Sequence, residues 1–229
     1  MTLEKIKLFS SSINKKKVGE VFDRYKVLKQ LFEKKILVFD IGANVGQTIL
    51  EISKNFKSTE IHSFEPQSDC INQIKELITK LGSKHKVIVN NLEVGNKIIK
   101  KKKFFQNKSS DLSSFSKINT KSKLKISMKE LSKQKSFLKT INKPTFVEQT
   151  TLNHYLKIKK ISSIDILKID TQGYEKNVLL GCSEILKNIK VICLEMNFWD
   201  YYEKSLSFFE IEKLIKSHFQ FWDVSFIYK

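Results

Sequence analysis

Short apolar runs alternate along this chain with stretches in which apolar residues recur every three or four positions. Residues 36–39, 58–65, 86–89, 164–170 and 191–196 have the length and apolar character of buried parallel strands. Between them, Ile49, Ile52 and Phe56 give helical spacing from residue 47 onward. Cys70, Ile71, Ile74, Leu77, Ile78 and Leu81 form the apolar face of a second helix, which Gly82 ends. A further helix begins over 151–156, and another covers 206–218 with Leu206, Phe209, Leu214 and Ile215 turned inward. Ahead of the first strand, Val18, Val21, Phe22, Tyr25, Leu28 and Phe32 mark an amphipathic helix over 17–34 that packs on the domain's own sheet. Residues 146–150 read as an additional strand and 220–228 alternate as a sixth core strand. Strands alternating with helices predict an α/β fold, a Rossmann-like doubly wound, mostly parallel sheet with helices on both faces.

The 229 residues suit one sizeable core. We divide them into a helical segment, 1–35, and a domain, 36–229. Ten lysines and nine serines make residues 107–143 too polar for that core, so they read as an insertion or lid. Within it Leu124, Met128, Leu131 and Leu138 share a helical face, which Pro144 would end.

The stretch ILVFDIGANVG, residues 36–46, joins the first strand to the first helix through a tight loop. Gly42 and Gly46 can take backbone angles closed to other residues and let a ligand approach the main chain. A dinucleotide loop needs a glycine where this chain has Asn44. Asp40 would repel a phosphate but can pair with a cationic group, and Glu65 ends the next strand where a carboxylate can accept both hydroxyls of a ribose. A nucleoside carrying an amino acid fits this set better than a dinucleotide. Asn91 and Leu92, beyond the third strand, are candidates for the base pocket, with a plain turn as the alternative.

The pattern D-x-G-A-N-x-G-Q followed by F-E-P resembles class I S-adenosylmethionine-dependent methyltransferases. SSDLSSF at 109–115 and DILKIDTQGYEKNVLLG at 165–181 narrow the resemblance to the FkbM-type family. The resemblance implies S-adenosyl-L-methionine as methyl donor, held by Asp40, Gly42, Asn44, Gly46, Gln47, Glu65 and Pro66, with Asn91 and Leu92 toward the adenine. It implies O-methylation, with a sugar, glycan or secondary-metabolite hydroxyl as acceptor, and a helix before the first strand that partly covers the cofactor. The class I fold also has a seventh, antiparallel strand between the fifth and sixth, which this family usually forms beyond the equivalent of Tyr228. Because the sequence stops at Lys229, we expect a cut chain, a six-stranded closure or a strand supplied by another chain, and an exposed edge that favours a homodimer or poor solubility.

Methyl transfer is a direct displacement, so the protein must align two reactants and remove the acceptor's proton. Lys168 and Asp170 share one face of the fourth core strand, because side chains alternate along it. Asp170, and Lys168 where burial depresses its pKa, are the candidate bases, with a structural ion pair as the alternative. Glu195 and Asn197 project from the end of the fifth strand, and with Asp170 they offer oxygen ligands for a divalent metal as a minority reading. Glu175 falls in the first turn of a helix, where the helix dipole stabilises a carboxylate.

A formal charge of +18 raises the question of nucleic acid. Arg24 is the only arginine, however, and the wealth of Lys, Asn, Ile, Ser and Phe is the bias expected of A/T-rich codons, so we expect no specific nucleic-acid partner. His62, His85, His154 and His218 show no zinc spacing, although the helix carrying His154 leads into the fourth core strand. Cys70, Cys182 and Cys193 read as buried thiols of a reducing compartment. No apolar run has membrane-spanning length and no secretory signal precedes the domain, so a soluble cytoplasmic protein is expected. Two other classes remain open: a non-catalytic or truncated binding protein of this fold, and an NAD-dependent oxidoreductase, disfavoured by Asn44.

Overall fold

The computed structural model describes residues 24–107, 110–119, 142–196, 202–203 and 206–221. Five strands form the central sheet: β1 (Ile36–Ile41), β2 (Thr59–Phe64), β3 (His85–Asn90), β7 (Ile164–Ile169) and β8 (Ile189–Leu194). They are all parallel, in the order β3-β2-β1-β7-β8. A second sheet, order β4-β6-β5, is built from β4 (Glu93–Val94), β5 (Ile99–Gln106) and β6 (Lys143–Thr150).

Strand alternation sends the apolar runs to two cores. Ile36 and Val38 of β1 and Ile166 of β7 pack with Ile49 and Ile52 of α2 (Gln47–Asn55), Ile74 of α3 (Ser68–Ile78), and Tyr25 and Leu28 of α1 (Arg24–Leu28). Phe39, Ile41, Leu167 and Ile169 face the other way, onto α4 (Leu152–Lys159) and α5 (Glu175–Leu180). Asp40 and Lys168 follow Val38 and Ile166 by two residues, so alternation puts both charges on the α1–α2 side. A 3-10 turn, Lys29–Leu31, follows α1. Phe32 then meets Phe56 edge to face, with ring centres 6.2 Å apart.

Three expectations change. The second sheet was unforeseen apart from the strand at 146–150, because four consecutive lysines hide the alternation of β5. In the fold Phe104 is buried while Lys102 lies 5.6 Å from the centre of the Phe115 ring, a cation held over an aromatic face. On α6 (Phe208–Ile215), Phe209 is 70% exposed rather than inward. Ile211 is buried, and Leu214 and Ile215 follow it by three and four positions on the same face, which leaves Phe209 pointing away. His154 sits exposed on α4, where its backbone N–H is capped by the Thr151 hydroxyl, 3.1 Å away. The expected helix within 107–143, residues 17–23 of the helix expected over 17–34, residues 222–228 of the sixth strand and Asn197 lie outside the described residues. The described part of the helix over 17–34 stops short, with Phe32 already extended. Among the described residues no helix is long and apolar enough to cross a membrane.

Gly181, at the end of α5, lies where a Cβ would overlap the carbonyl of Gly95, so the close approach of α5 to the β4 end requires a residue without a side chain. Gly181→Ala is expected to cost about 1–3 kcal/mol, as overpacking does. Gly82→Ala, with nothing within 4 Å of the added carbon, serves as the neutral control. Urea midpoints of the two variants check this; equal midpoints would show that the contact is not tight.

Candidate functional site

The carboxyl ends of β1, β2, β7 and β8 surround a cleft of about 260 Å³. The loop after β1 is folded by its own backbone. Gly42 and Ala43 both donate to the Phe64 carbonyl at 3.0 Å, and Gly42, Asn44 and Gly46 have positive φ of 81°, 47° and 93°. The two glycines are required by protein rather than by a ligand. A Cβ at Gly42 would overlap the carbonyl of Asp170, and one at Gly46 would stand 2.7 Å from Leu77 of α3.

Glu65 is 3% exposed and fastens this loop to the one after β2. One oxygen accepts the Asn44 N–H at 2.9 Å, and the other accepts the Gln67 N–H at 2.9 Å. The second oxygen also accepts from the Gln67 side chain at 3.3 Å, so one lone pair, on the oxygen that holds Asn44, remains for a further donor. Burial pushes the Glu65 carboxyl up to about 7, against the opposing pull of those N–H groups.

On the other side of the cleft the in-register pair Asp40 and Lys168 begins a chain of charges. Lys168 Nζ lies 3.0 Å from Asp170 and 4.0 Å from Asp40. Gln172 donates to the second oxygen of Asp170 at 2.7 Å, and Glu195 is hydrogen-bonded to the same carboxyl. Burial alone would raise the pKa of Asp170, but Lys168 and these hydrogen bonds hold it below the usual carboxylate range. A hydrogen bond between two carboxyl groups needs one proton between them, and Lys168 and Gln172 favour Asp170 as the ionised member. Burial works against the charge on Lys168, yet Asp170 and Asp40 outweigh it and raise its pKa. Lys168 is therefore a fixed cation, not the burial-depressed base that the sequence allowed. Asp40 is fully buried, neither of its oxygens has a hydrogen-bond partner among the described residues, and burial lifts it to about 6.

The segment around 110–116 ties these loops together. Ser110 donates to the Asn44 side chain at 2.6 Å, and its carbonyl accepts from Gln67 at 3.3 Å. Ser114 donates to the carbonyls of Thr171 at 3.1 Å and Gln172 at 2.7 Å, and Ser116 to that of Gly173 at 3.3 Å. Glu175 is buried beneath the loop, where it accepts from the N–H groups of Thr171 and Gly173, so its carboxylate holds the turn and does not line the cleft.

Of the residues singled out in the sequence, Gly42, Asn44, Gln47, Glu65, Pro66, Lys168, Asp170 and Glu195 line the cleft. Asp40 and Gly46 lie behind that lining. Asn91 and Leu92 are not brought to it: Asn91 donates to the carbonyls of Glu65 and Pro66, and Leu92 packs against the core. The adjacent Glu93 lines the cleft instead, 5% exposed, its pKa pushed well up by burial and the nearby Glu65. An acid inside the apolar stretch LEV gave no signal of this. Arg24, Tyr25 and Glu51, from α1 and α2, also line the cleft. Arg24 and Tyr25 belong to the helix that the family resemblance sets partly over the cofactor, whereas Glu51 carried no sequence signal.

The cleft presents Glu51, Glu65, Glu93, Asp170 and Glu195 against only two cations, Arg24 and Lys168, in a protein of formal charge +18. Such a lining, with the buried carboxyl of Asp40 behind it, fits a ligand that carries positive charge and hydroxyl groups. Among the described residues no group of three or more His, Cys, Asp and Glu is disposed to hold a metal. Beside Asp170 the Lys168 ammonium takes the place a cation would occupy.

A search of the curated proteins gives no match. The family model described as the methyltransferase FkbM domain matches residues 40–221, which take in the glycine loop, Glu65, the serine segment and the charged strand ends. This protein therefore belongs to the FkbM methyltransferase family.

Proposed function

We propose that this methyltransferase uses S-adenosyl-L-methionine and methylates a hydroxyl oxygen of a small molecule, such as a sugar, a glycan or a secondary metabolite. The observation that carries the reading is the acidic cleft at the strand ends of a strongly basic protein. The bound cofactor would supply a methyl group on a cationic sulfonium, open to displacement by an oxygen nucleophile. Glu65 accepts from a ribose hydroxyl with its one spare lone pair, and the loop from Gly42 to Gln47 supports the nucleoside. Asp40 favours the positive charge from behind the lining. Asp170, ionised and held by Lys168 and Gln172, receives the proton of the acceptor hydroxyl. Its low pKa makes it a weak base, so proton transfer belongs late, when the oxygen has already begun to bond to the methyl carbon.

Calorimetric titration with S-adenosylhomocysteine, with NAD as control, tests the donor. We expect micromolar affinity, about −8 kcal/mol. Glu65→Ala should weaken it by about 10- to 100-fold, since a hydrogen bond to a charged group is lost. Binding of NAD in preference, or no binding by a folded sample, would refute the reading.

The raised pKa values of Asp40, about 6, and Glu65, about 7, set the pH dependence. Both groups act in their ionised forms, so binding releases protons and tightens as pH rises through those values, levelling above about pH 8. The same titration, repeated over pH and in buffers of different ionisation enthalpy, reads both effects. Affinity that falls as pH rises would contradict this assignment.

A further inference from the structure

A lining dominated by carboxyls suits a sulfonium and an ammonium group but repels the carboxylate that the same amino-acid moiety carries. A zwitterionic ligand in this cleft needs a cation that is not already committed. Lys168 is committed, at 3.0 Å from Asp170 and 4.0 Å from Asp40. Arg24 is the only other cation of the lining and the only arginine of the chain. Its guanidinium forms no hydrogen bond or ion pair within the described residues, unlike the bridged Lys35, Lys86 and Lys190.

The position of Arg24 selects which part of a ligand it meets. Through Tyr25 and Leu28, α1 packs on α2 at the face of the sheet that Val38 and, by alternation, Asp40 share, which places Arg24 at the Asp40 side of the cleft. Glu65 is joined instead to Gln67 and, through Gln67, to Ser110. The hydroxyl-accepting end and the Arg24 end are therefore built from different elements. A guanidinium matches a carboxylate bidentately, which a lysine ammonium cannot do.

We propose that Arg24 forms a carboxylate subsite, in which its guanidinium receives the α-carboxylate of the donor's amino-acid moiety while Asp40 balances the adjacent ammonium. This rests on the donor reading above and adds the anchoring of the ligand's amino-acid end through α1.

The test compares two ligands that differ at that end. S-adenosylhomocysteine carries the carboxylate; 5′-methylthioadenosine keeps the adenosine and the sulfur but has no amino acid. Both are titrated calorimetrically into the full chain, as wild type, Arg24→Met and Arg24→Lys, with thermal melts to confirm folding. Arg24→Met is expected to weaken S-adenosylhomocysteine by about 10- to 100-fold, the range for a lost charged hydrogen-bonded contact. Methylthioadenosine should change by less than about twofold, and Arg24→Lys should fall between, keeping the charge without the fork. Equal weakening of both ligands, or unchanged affinity for S-adenosylhomocysteine in Arg24→Met, would overturn the subsite. Wild type that binds neither ligand would overturn the donor reading itself, and the subsite with it.

Discussion

The buried charges across β1 and β7 are the constraint on which the site depends. Asp40 and Lys168 are in register on adjacent strands, and Asp170 follows two residues later on the same face. Moving ions out of water costs several kcal/mol each, and an unpaired buried charge is not tolerated without large loss. Lys168 therefore has to stay between the two carboxyls, which fixes the ends of both strands. Gly42 completes the joint, because only a residue without a side chain leaves room for the Asp170 carbonyl. The pairing that stabilises the centre of the sheet also delivers an ionised Asp170 to the cleft.

The loops around that centre have little apolar surface of their own and are held by directed hydrogen bonds. Glu65 joins the loops after β1 and β2 through backbone N–H groups. Ser110, Ser114 and Ser116 then join those loops to the turn after β7. The second sheet supports this arrangement: β5 leads into the serine segment, and Phe105 and Ser114 exchange backbone hydrogen bonds at 2.8 and 3.0 Å. Motifs far apart in the chain thus act as one unit because their polar groups satisfy one another.

Much of the fold was legible from periodicity. β1, β7 and β8 read as apolar runs with one or two polar interruptions, and α2 and α3 showed their faces through Ile49, Ile52, Cys70 and Ile74. What was missed lacked such a signal. The inward face of β5 was hidden by lysines, two of which hold their ammonium groups over aromatic rings. Phe209 was assigned inward because it is large and apolar, although a helix of eight residues has room for only one inward stripe.

The sequence by itself determined the alternation of strands and helices, the unusual loop with Asn44 in place of a glycine, and the acids placed at strand ends. These are properties of local spacing, and local spacing is what a chain displays. Only the tertiary structure decided that Lys168 is a locked cation, that Glu93 rather than Asn91 and Leu92 reaches the cleft, and that Arg24 lines it beside carboxyls. The charge state and accessibility of a side chain depend on which other charges surround it and on how much water is excluded. Those neighbours come from different strands and helices, as Asp40 of β1 does for Lys168 of β7, so no short stretch of the chain contains them.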